Sequence, residues 1–491
     1  MNFVRDVVEA ASPAALAVVE RTRGGDRREH TFADLLRRSG GLAGSLHQLG
    51  VRRGDVVLTL IGNRVEWVET LLACFCTGAV ALPCTEQLRA EDLAHRLATA
   101  APAAVVADER NRGVLEAAGP ACPVLLVPAP ALYTAPPPPV ADLAAEDPCL
   151  VTFTSGTAGP PSAVLHGQRY LLGQRLQARH WFAARPGDVA WCTASTGWSK
   201  SARNAFLAPW LCGATALLHD GRFDPEERVA IASAERVATW CMAPTEYRII
   251  AKRGHVVPIA SLHSLVAAGE ALDPETLRAW REGTGVDVRD GYGQTETGQL
   301  TANPYGAPAR PGSMGLPLPG VRTTIEDGEL VVDPSTVPTF FLRYLGRPSP
   351  VASSVAPFAG PWRTGDQVRR DTDGYLYFEG RTDDVIISAG YRIGPFEVEA
   401  VLARHPAVAD VAVVAAPDAE RGSVVRAIVV PQRGWTPSPE LAAQLQEFVK
   451  QHTAPYKYPR VVDFVPELPK TPTGKIVRRM LRLPESPAPD S

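Results

Sequence analysis

No uninterrupted apolar run in this 491-residue chain reaches the roughly 18 positions that a bilayer-spanning helix needs, which excludes an ordinary membrane span. Residues 1–11 hold Arg5, Asp6 and Glu9 and lack the apolar core of a secretory signal, so a cytoplasmic protein is expected. Charge of one sign is also missing. Fifty Lys plus Arg stand against 53 Asp plus Glu, a net charge of −3, which removes any whole-protein argument for nucleic-acid or acidic-membrane binding and leaves function to local sites. The eight cysteines lie at or before Cys241, mostly in apolar runs, and show no C-x-x-C pair; they read as reduced, buried small hydrophobes rather than ligands or bridges. What remains is an ordinary globular composition, 45% hydrophobic and 21% charged, in a chain too long for one core.

Helix and strand alternate along the first part. Apolar spacing predicts a helix over 32–49, a strand at 56–60, a helix over 67–78 and a strand at 80–82. The same rhythm returns at 93–106, at 225–242, and at 274–288, where the strand is expected at Val286–Val288. Such βα units imply a parallel-rich sheet wrapped by helices, with ligands at the carboxyl ends of its strands. The proline-rich stretch 128–139 reads as an extended surface linker. Beyond Gly380 a smaller α+β pattern follows, with helices over 395–405 and 439–452 and strands at 408–415, 424–430 and 461–465. The expected fold class is therefore α/β, with a large N-terminal domain over 1–381 and a smaller, mobile α+β C-terminal domain over 382–491.

One segment carries chemistry in its composition. The apolar run Val151-Thr152-Phe153 breaks into Thr154-Ser155-Gly156-Thr157-Ala158-Gly159-Pro160-Pro161-Ser162. Its hydroxyls can donate to an anion, and Gly156 and Gly159 let the backbone turn and bring N–H groups close. A plain surface turn has the same composition, and a lysine, the natural point charge for phosphate, is missing where Ser162 stands.

The order of the remaining motifs decides. The cradle loop resembles the T-S-G-T-T-G-x-P-K-G loop of the adenylate-forming superfamily, which joins acyl-CoA synthetases, peptide-synthetase adenylation domains and luciferases. Gly269-Glu270-Ala271-Leu272 resembles that family's adenine-side turn, and Asp290-Gly291-Tyr292-Gly293-Gln294-Thr295-Glu296-Thr297 its Y-G-x-T-E segment. Arg363-Thr364-Gly365-Asp366, Gly380-Arg381-Thr382-Asp383-Asp384 and Pro469-Lys470-Thr471-Pro472-Thr473-Gly474-Lys475-Ile476 complete six motifs in family order. Thr196-Gly197-Trp198-Ser199-Lys200, Ala302-Asn303-Pro304, Gly312-Ser313-Met314-Gly315, Tyr391-Arg392-Ile393-Gly394-Pro395 and 453–460 look most like the medium-chain and aryl acyl-CoA synthetases.

The resemblance implies ATP, Mg²⁺ and coenzyme A as cofactors and a small-molecule carboxylic acid as substrate. It implies that Thr154, Ser155, Gly156, Thr157 and Gly159 cradle phosphates, that Tyr292, within Asp290-Gly291-Tyr292, stacks on adenine beside Gly269, Glu270 and Ala271, and that Asp366 accepts from the ribose hydroxyls. Arg381 adds a charged fork near ribose and phosphates, Thr295 a hydroxyl donor, and Glu296 an oxygen ligand for Mg²⁺. Lys475 is the implied catalytic cation, and Asp383 the hinge about which the small domain rotates between two half-reactions. Gly390 matches a pantetheine-tunnel glycine; Arg392, Arg421 and Lys457 match positions that contact coenzyme A, which favours free coenzyme A over a carrier-protein arm. Singly, each of these residues also fits a solvated, capping or packing role.

Trp198, with Met242 and Gly293, is the candidate wall of the acyl pocket. Arg203 is expected at the surface; turned inward, it could pair with a substituent on an aryl acid. The leading reading is an AMP-forming acid–thiol ligase for a medium-chain or aromatic acid. A stand-alone enzyme loading a carrier protein, a member adenylating another oxyanion such as nitrite, and a nucleotide sensor that kept the fold are the alternatives. Either a monomer or a homodimer is compatible with the sequence.

Overall fold

A computed structural model describes the chain except residues 155–160, 271, 347–359, 383, 389–390, 419–420, 471–475 and 483–491, and describes only the backbone of Arg392 and Pro455. The described residues separate into two compact units. The first takes in 1–154, 162–322 and 333–346 with Gly360 and Pro361; the second takes in Pro161, 323–332 and the described part of 362–482.

The first unit is built from βα units of the expected kind. The strand Val56–Leu60 enters a helix, Val65–Thr77, that is apolar on nearly every side and buried accordingly. Gly78, at φ 75°, ends the helix and turns the chain into the strand Val80–Cys84. One sheet of this unit runs in spatial order Arg343–Tyr344, Ala163–Gly167, Pro148–Phe153, Val80–Cys84, Val56–Leu60, Ala104–Asp108, Val124–Val127, and its last five strands are parallel. The other runs Leu316–Pro317, Gly298–Ala302, Val288–Gln294, Ser264–Ala268, Val237–Met242, Val189–Cys192, Thr215–His219, Leu16–Arg21, Arg27–Thr31, parallel from Val288–Gln294 to Leu16–Arg21. Its core is aromatic. Trp191 stacks on Trp240 with centroids 5.5 Å apart, and Trp280 meets Trp240 edge-on at 5.8 Å, contacts that each add about 1 kcal/mol beyond the area they bury.

Two expectations need correction. The strand expected at Val286–Val288 runs instead over Val288–Gln294. Glycine and aspartate are poor strand formers, but this segment is paired on both sides, by Ser264–Ala268 and Gly298–Ala302, and pairing outweighs propensity. The proline-rich stretch does lie at the surface, with none of residues 128–139 buried, but it is not extended throughout. A short helical turn at Pro130–Tyr133 lies against the helix Phe32–Gln48: a Cβ at Gly41 would stand 2.2 Å from the Tyr133 carbonyl oxygen, Ser45 Oγ donates to the Leu132 carbonyl at 2.8 Å, and the Arg38 guanidinium covers the Tyr133 ring at 4.0 Å.

The second unit has an antiparallel sheet of Thr323–Glu326, Glu329–Val332, Trp362–Arg370 and Leu376–Arg381. It also has a sheet of Tyr391–Ile393, Ile386–Ser388, Gly422–Pro431 and Val408–Asp418, joined by Val461–Phe464. The helices Pro395–Leu402 and Pro439–His452 lay Val398, Leu402, Leu441, Leu445 and Val449 on this second sheet. Among the described residues no helix is long and apolar enough to cross a membrane, and all eight cysteines are free.

Candidate active site

Register brings one edge of the larger sheet into focus. Cys241 lies opposite Cys192, Met242 opposite Ala267, and Ala268 opposite Gly291, so four neighbouring parallel strands end together. This carboxyl edge is where open α/β sheets bind ligands. It carries Met242, the turn at Gly269–Glu270 and the segment Asp290–Gln294. The helix Ser199–Ala202, which follows the strand Val189–Cys192, starts at Trp198. Lys200 ties this helix to the edge: it is buried, and its Nζ donates to the carbonyls of Ala268 at 3.0 Å and Met242 at 3.5 Å.

The candidate residues of the edge differ in what they offer. Gly269, at φ 110°, occupies backbone space that side chains disfavour. Glu270 accepts from Arg248 Nη2 at 3.0 Å. Gly293 is glycine because a Cβ would stand 1.9 Å from the Gly298 carbonyl oxygen in the paired strand. The Asp290 carboxyl is held up at about 8, first by burial, with the Gly291 N–H at 2.8 Å and the Lys200 charge pulling the other way. Thr295 and Glu296 sit in a tight turn in which Thr297 Oγ1 accepts from the Gln294 N–H at 3.0 Å, and Glu296 Oε1 accepts from the Tyr344 hydroxyl at 2.9 Å. Met242 is wholly buried in the cluster around Trp191 and Trp240, whereas Trp198 keeps part of its surface. Among the described residues no three His, Cys, Asp or Glu side chains cluster as a metal site. A lone carboxylate such as Glu296 suits a Mg²⁺ that arrives with phosphate oxygens and keeps its waters.

At the neck of the cradle, Thr154 and Ser162 close the hairpin. The Thr154 N–H donates to the Ser162 carbonyl at 2.9 Å, and the Ser162 N–H donates to Thr154 Oγ1 at 3.0 Å. Ser155, Gly156, Thr157 and Gly159 lie outside the described residues, as do Ala271, Asp383, Gly390 and Lys475.

In the second unit Asp366 and Arg381 face each other on adjoining strands and form an ion pair at 3.0 Å, with Asp366 buried. Gly365 makes room for it, since a Cβ there would lie 2.9 Å from Arg381 Nη2. Lys457 is ion-paired with Glu397, Arg421 is exposed in the turn after Asp418, and Arg392 is described only as backbone of the strand Tyr391–Ile393.

Three polar groups of the first unit escaped or contradicted the sequence reading. Lys200 was part of a motif with no role attached, and a lone lysine carries no sign of burial. His166 is fully buried with its ring 4.1 Å from that of Tyr170 and the backbone of Thr295 beside it; burial, then the positive charges of Arg169 and Arg203, push its imidazole down to about 3, so it is neutral. Arg203, expected at the surface, is 5% exposed. The reason is its place in a π-helical stretch, Arg203–Leu207, in which every residue is buried.

With this geometry in view, the comparisons with known proteins are unambiguous. The AMP-binding enzyme family matches residues 6–338, and the AMP-binding enzyme C-terminal domain matches 397–475. The chain belongs to the AMP-binding enzyme family. It is 36% identical to the human mitochondrial acyl-coenzyme A synthetase ACSM4, over 98% of this chain and 90% of that protein. It is 34% identical to the uncharacterized acyl-CoA ligase YtcI of Bacillus subtilis, over 98% of this chain and 95% of that protein. Among solved structures, a benzoate CoA ligase from Burkholderia xenovorans LB400 superimposes with a TM-score of 0.86 at 26% identity, covering 98% of this chain and all of that one.

Proposed function

We propose that this enzyme activates a carboxylic acid with ATP and passes the acyl group to coenzyme A. In the first half-reaction a carboxylate oxygen attacks the α-phosphorus, the α–β P–O bond breaks, and pyrophosphate leaves. In the second, a thiol sulfur attacks the acyl carbon, the bond to AMP breaks, and the thiol proton passes to solvent. Mg²⁺, held by phosphate oxygens and Glu296, would offset the charge on the phosphates. Anions that repel one another must be gathered for this, so positioning and electrostatics carry most of the barrier reduction. The observation that carries the reading is the convergence of Gly269–Glu270, Asp290–Glu296 and buried Lys200 on one carboxyl edge in a chain that matches this family almost end to end.

Within that reading, Tyr292 serves adenine, Asp366 the ribose diol with Arg381 beside it, and Thr295 the phosphates. Lys475 reaches the α-phosphate in adenylation, and Asp383 is the hinge of a 382–491 domain that swings between half-reactions. Arg392, Arg421, Lys457 and Gly390 serve coenzyme A. Eight free cysteines suit a reducing compartment such as the cytoplasm. The test is pyrophosphate release over a panel of medium-chain and aromatic acids, with and without coenzyme A. Release with some acids and a thioester with coenzyme A is expected; no release with any acid would overturn the proposal, and transfer only to a phosphopantetheinyl carrier protein would overturn its second half.

A further inference from the structure

The first unit encloses a group of polar side chains that its own folding leaves unpaired. Neither Nε nor Nη1 of Arg203 has a hydrogen-bond partner, and Arg203 forms no ion pair among the described residues. Side-chain atoms of Gln174, Gln177 and Asn204 are likewise buried without partners, and His166, beside the backbone of Thr295 and Thr339, and Ser199, beside Tyr170, lie among them. These groups are neighbours. Gln177 Nε2 donates to Asn204 Oδ1 at 3.1 Å, Gln174 Nε2 donates to the Tyr170 carbonyl at 3.2 Å, Tyr170 lies on the His166 ring, and the charge of Arg203 is felt at His166, Tyr170 and Cys241.

The group also belongs to the site. Lys200, about one turn before Arg203, anchors the run to the carboxyl edge through Met242 and Ala268, and His166 borders Thr295. An enclosed guanidinium without a counter-ion is costly to hold out of water, and a planar carboxylate is the partner its forked N–H groups fit. The described residues do not provide one. Glu246 is turned to the Thr193 hydroxyl at 2.5 Å and the Ala243 N–H at 3.1 Å, and Asp290 accepts from the Gly291 N–H at 2.8 Å and pairs with neither cation. Two buried cations, Lys200 and Arg203, therefore stand at this end of the sheet with no carboxylate in ion-pair distance among the described residues.

We infer that the acid activated here carries a second carboxylate, which Arg203 receives with Ser199 and Asn204 as further donors while the first carboxylate is adenylated. The inference rests on the ligase reading and concerns only the acid. An aliphatic or aryl monoacid in the same place would leave the guanidinium unpaired and dry. Sites built around a buried polar partner reject analogues lacking it by large factors, so a preference of about a hundredfold or more in kcat/KM is expected.

The experiment measures pyrophosphate release by the full-length enzyme with dicarboxylates from malonate to suberate and the three benzenedicarboxylates, each beside its monoacid. Dicarboxylates should win by about a hundredfold or more; Arg203→Lys should keep part of that preference and Arg203→Met should lose it. Without substrate, Arg203→Met should melt no lower than the parent, because it removes an unpaired buried charge. Higher kcat/KM for the monoacids, or a preference unchanged in Arg203→Met, would overturn the inference and leave the ligase reading intact. No release with any acid from folded protein would remove the ligase reading and the inference together.

Discussion

Replacing Asp290 by asparagine should stabilise the enzyme, and by more as the pH rises. The Asp290 carboxyl is held at about 8 against an ordinary value of 3.8, with burial as the leading cause. A carboxyl whose folded value lies above its unfolded one contributes stability that is fully present below about pH 3.8 and lost as the pH rises through about 8. At about 1.4 kcal/mol per unit, the loss at pH 7 would reach about 4 kcal/mol for a fully enclosed group; because Asp290 keeps some accessible surface, half of that, about 2 kcal/mol, is the working value. Asparagine is neutral in both states and removes the loss. Asp290→Asn should therefore exceed the parent by less than about 1 kcal/mol at pH 5, by about 2 at pH 7, and by about 3 above pH 8. Urea unfolding followed by tryptophan fluorescence reads this, since seven of the nine tryptophans (all but Trp362 and Trp435) belong to the first unit. An offset that stays constant between pH 5 and pH 8, or a destabilisation that grows with pH, would refute the assignment of a buried neutral carboxyl.

Other substitutions test separate parts of the structure. Gly41→Ala gains about 1 kcal/mol of helix propensity, but its Cβ would stand 2.2 Å from the Tyr133 carbonyl, an overlap worth about 2–3 kcal/mol, so the thermal midpoint should fall by a few degrees; a rise would mean that the proline-rich stretch does not dock there. Asp366→Asn breaks the ion pair with Arg381 and should raise the KM for ATP by about tenfold or more; steady-state kinetics with an unchanged KM would remove Asp366 from nucleotide binding. Ser162→Lys restores the charge missing from the cradle and should lower the apparent KM for ATP, while an equal or higher value would mean that this loop does not grip phosphate as the family's loop does.

Much of the fold was legible because its signals are local. The helix Pro225–Ala234 and the helix Pro439–His452 have the bounds read from the sequence, each opening on a capping Asp224 or Ser438 and an N-terminal proline. Strand Val56–Leu60 was equally plain as a short apolar run. The strand Val288–Gln294 was not, since its residues are poor strand formers held by neighbours on both sides. The docking of the proline-rich stretch left a trace in Gly40, Gly41 and Gly44, glycines that a free helix would not favour, but the trace does not say what approaches them.

Family, α/β class and motif order are legible in the chain alone, because a hydroxyl-rich loop, a Gly-Asp turn or an amphipathic period is written in adjacent residues. Which charges end up enclosed is settled by folding. Lys200 finds its carbonyls at Met242 and Ala268, 42 and 68 positions away, and Arg203 is enclosed beside His166 and Tyr170 with no acid in ion-pair distance among the described residues. Desolvation depends on everything packed around a group, and that surrounding is assembled from distant segments, so the burial of residue types that belong on the surface by default cannot be read from neighbouring residues.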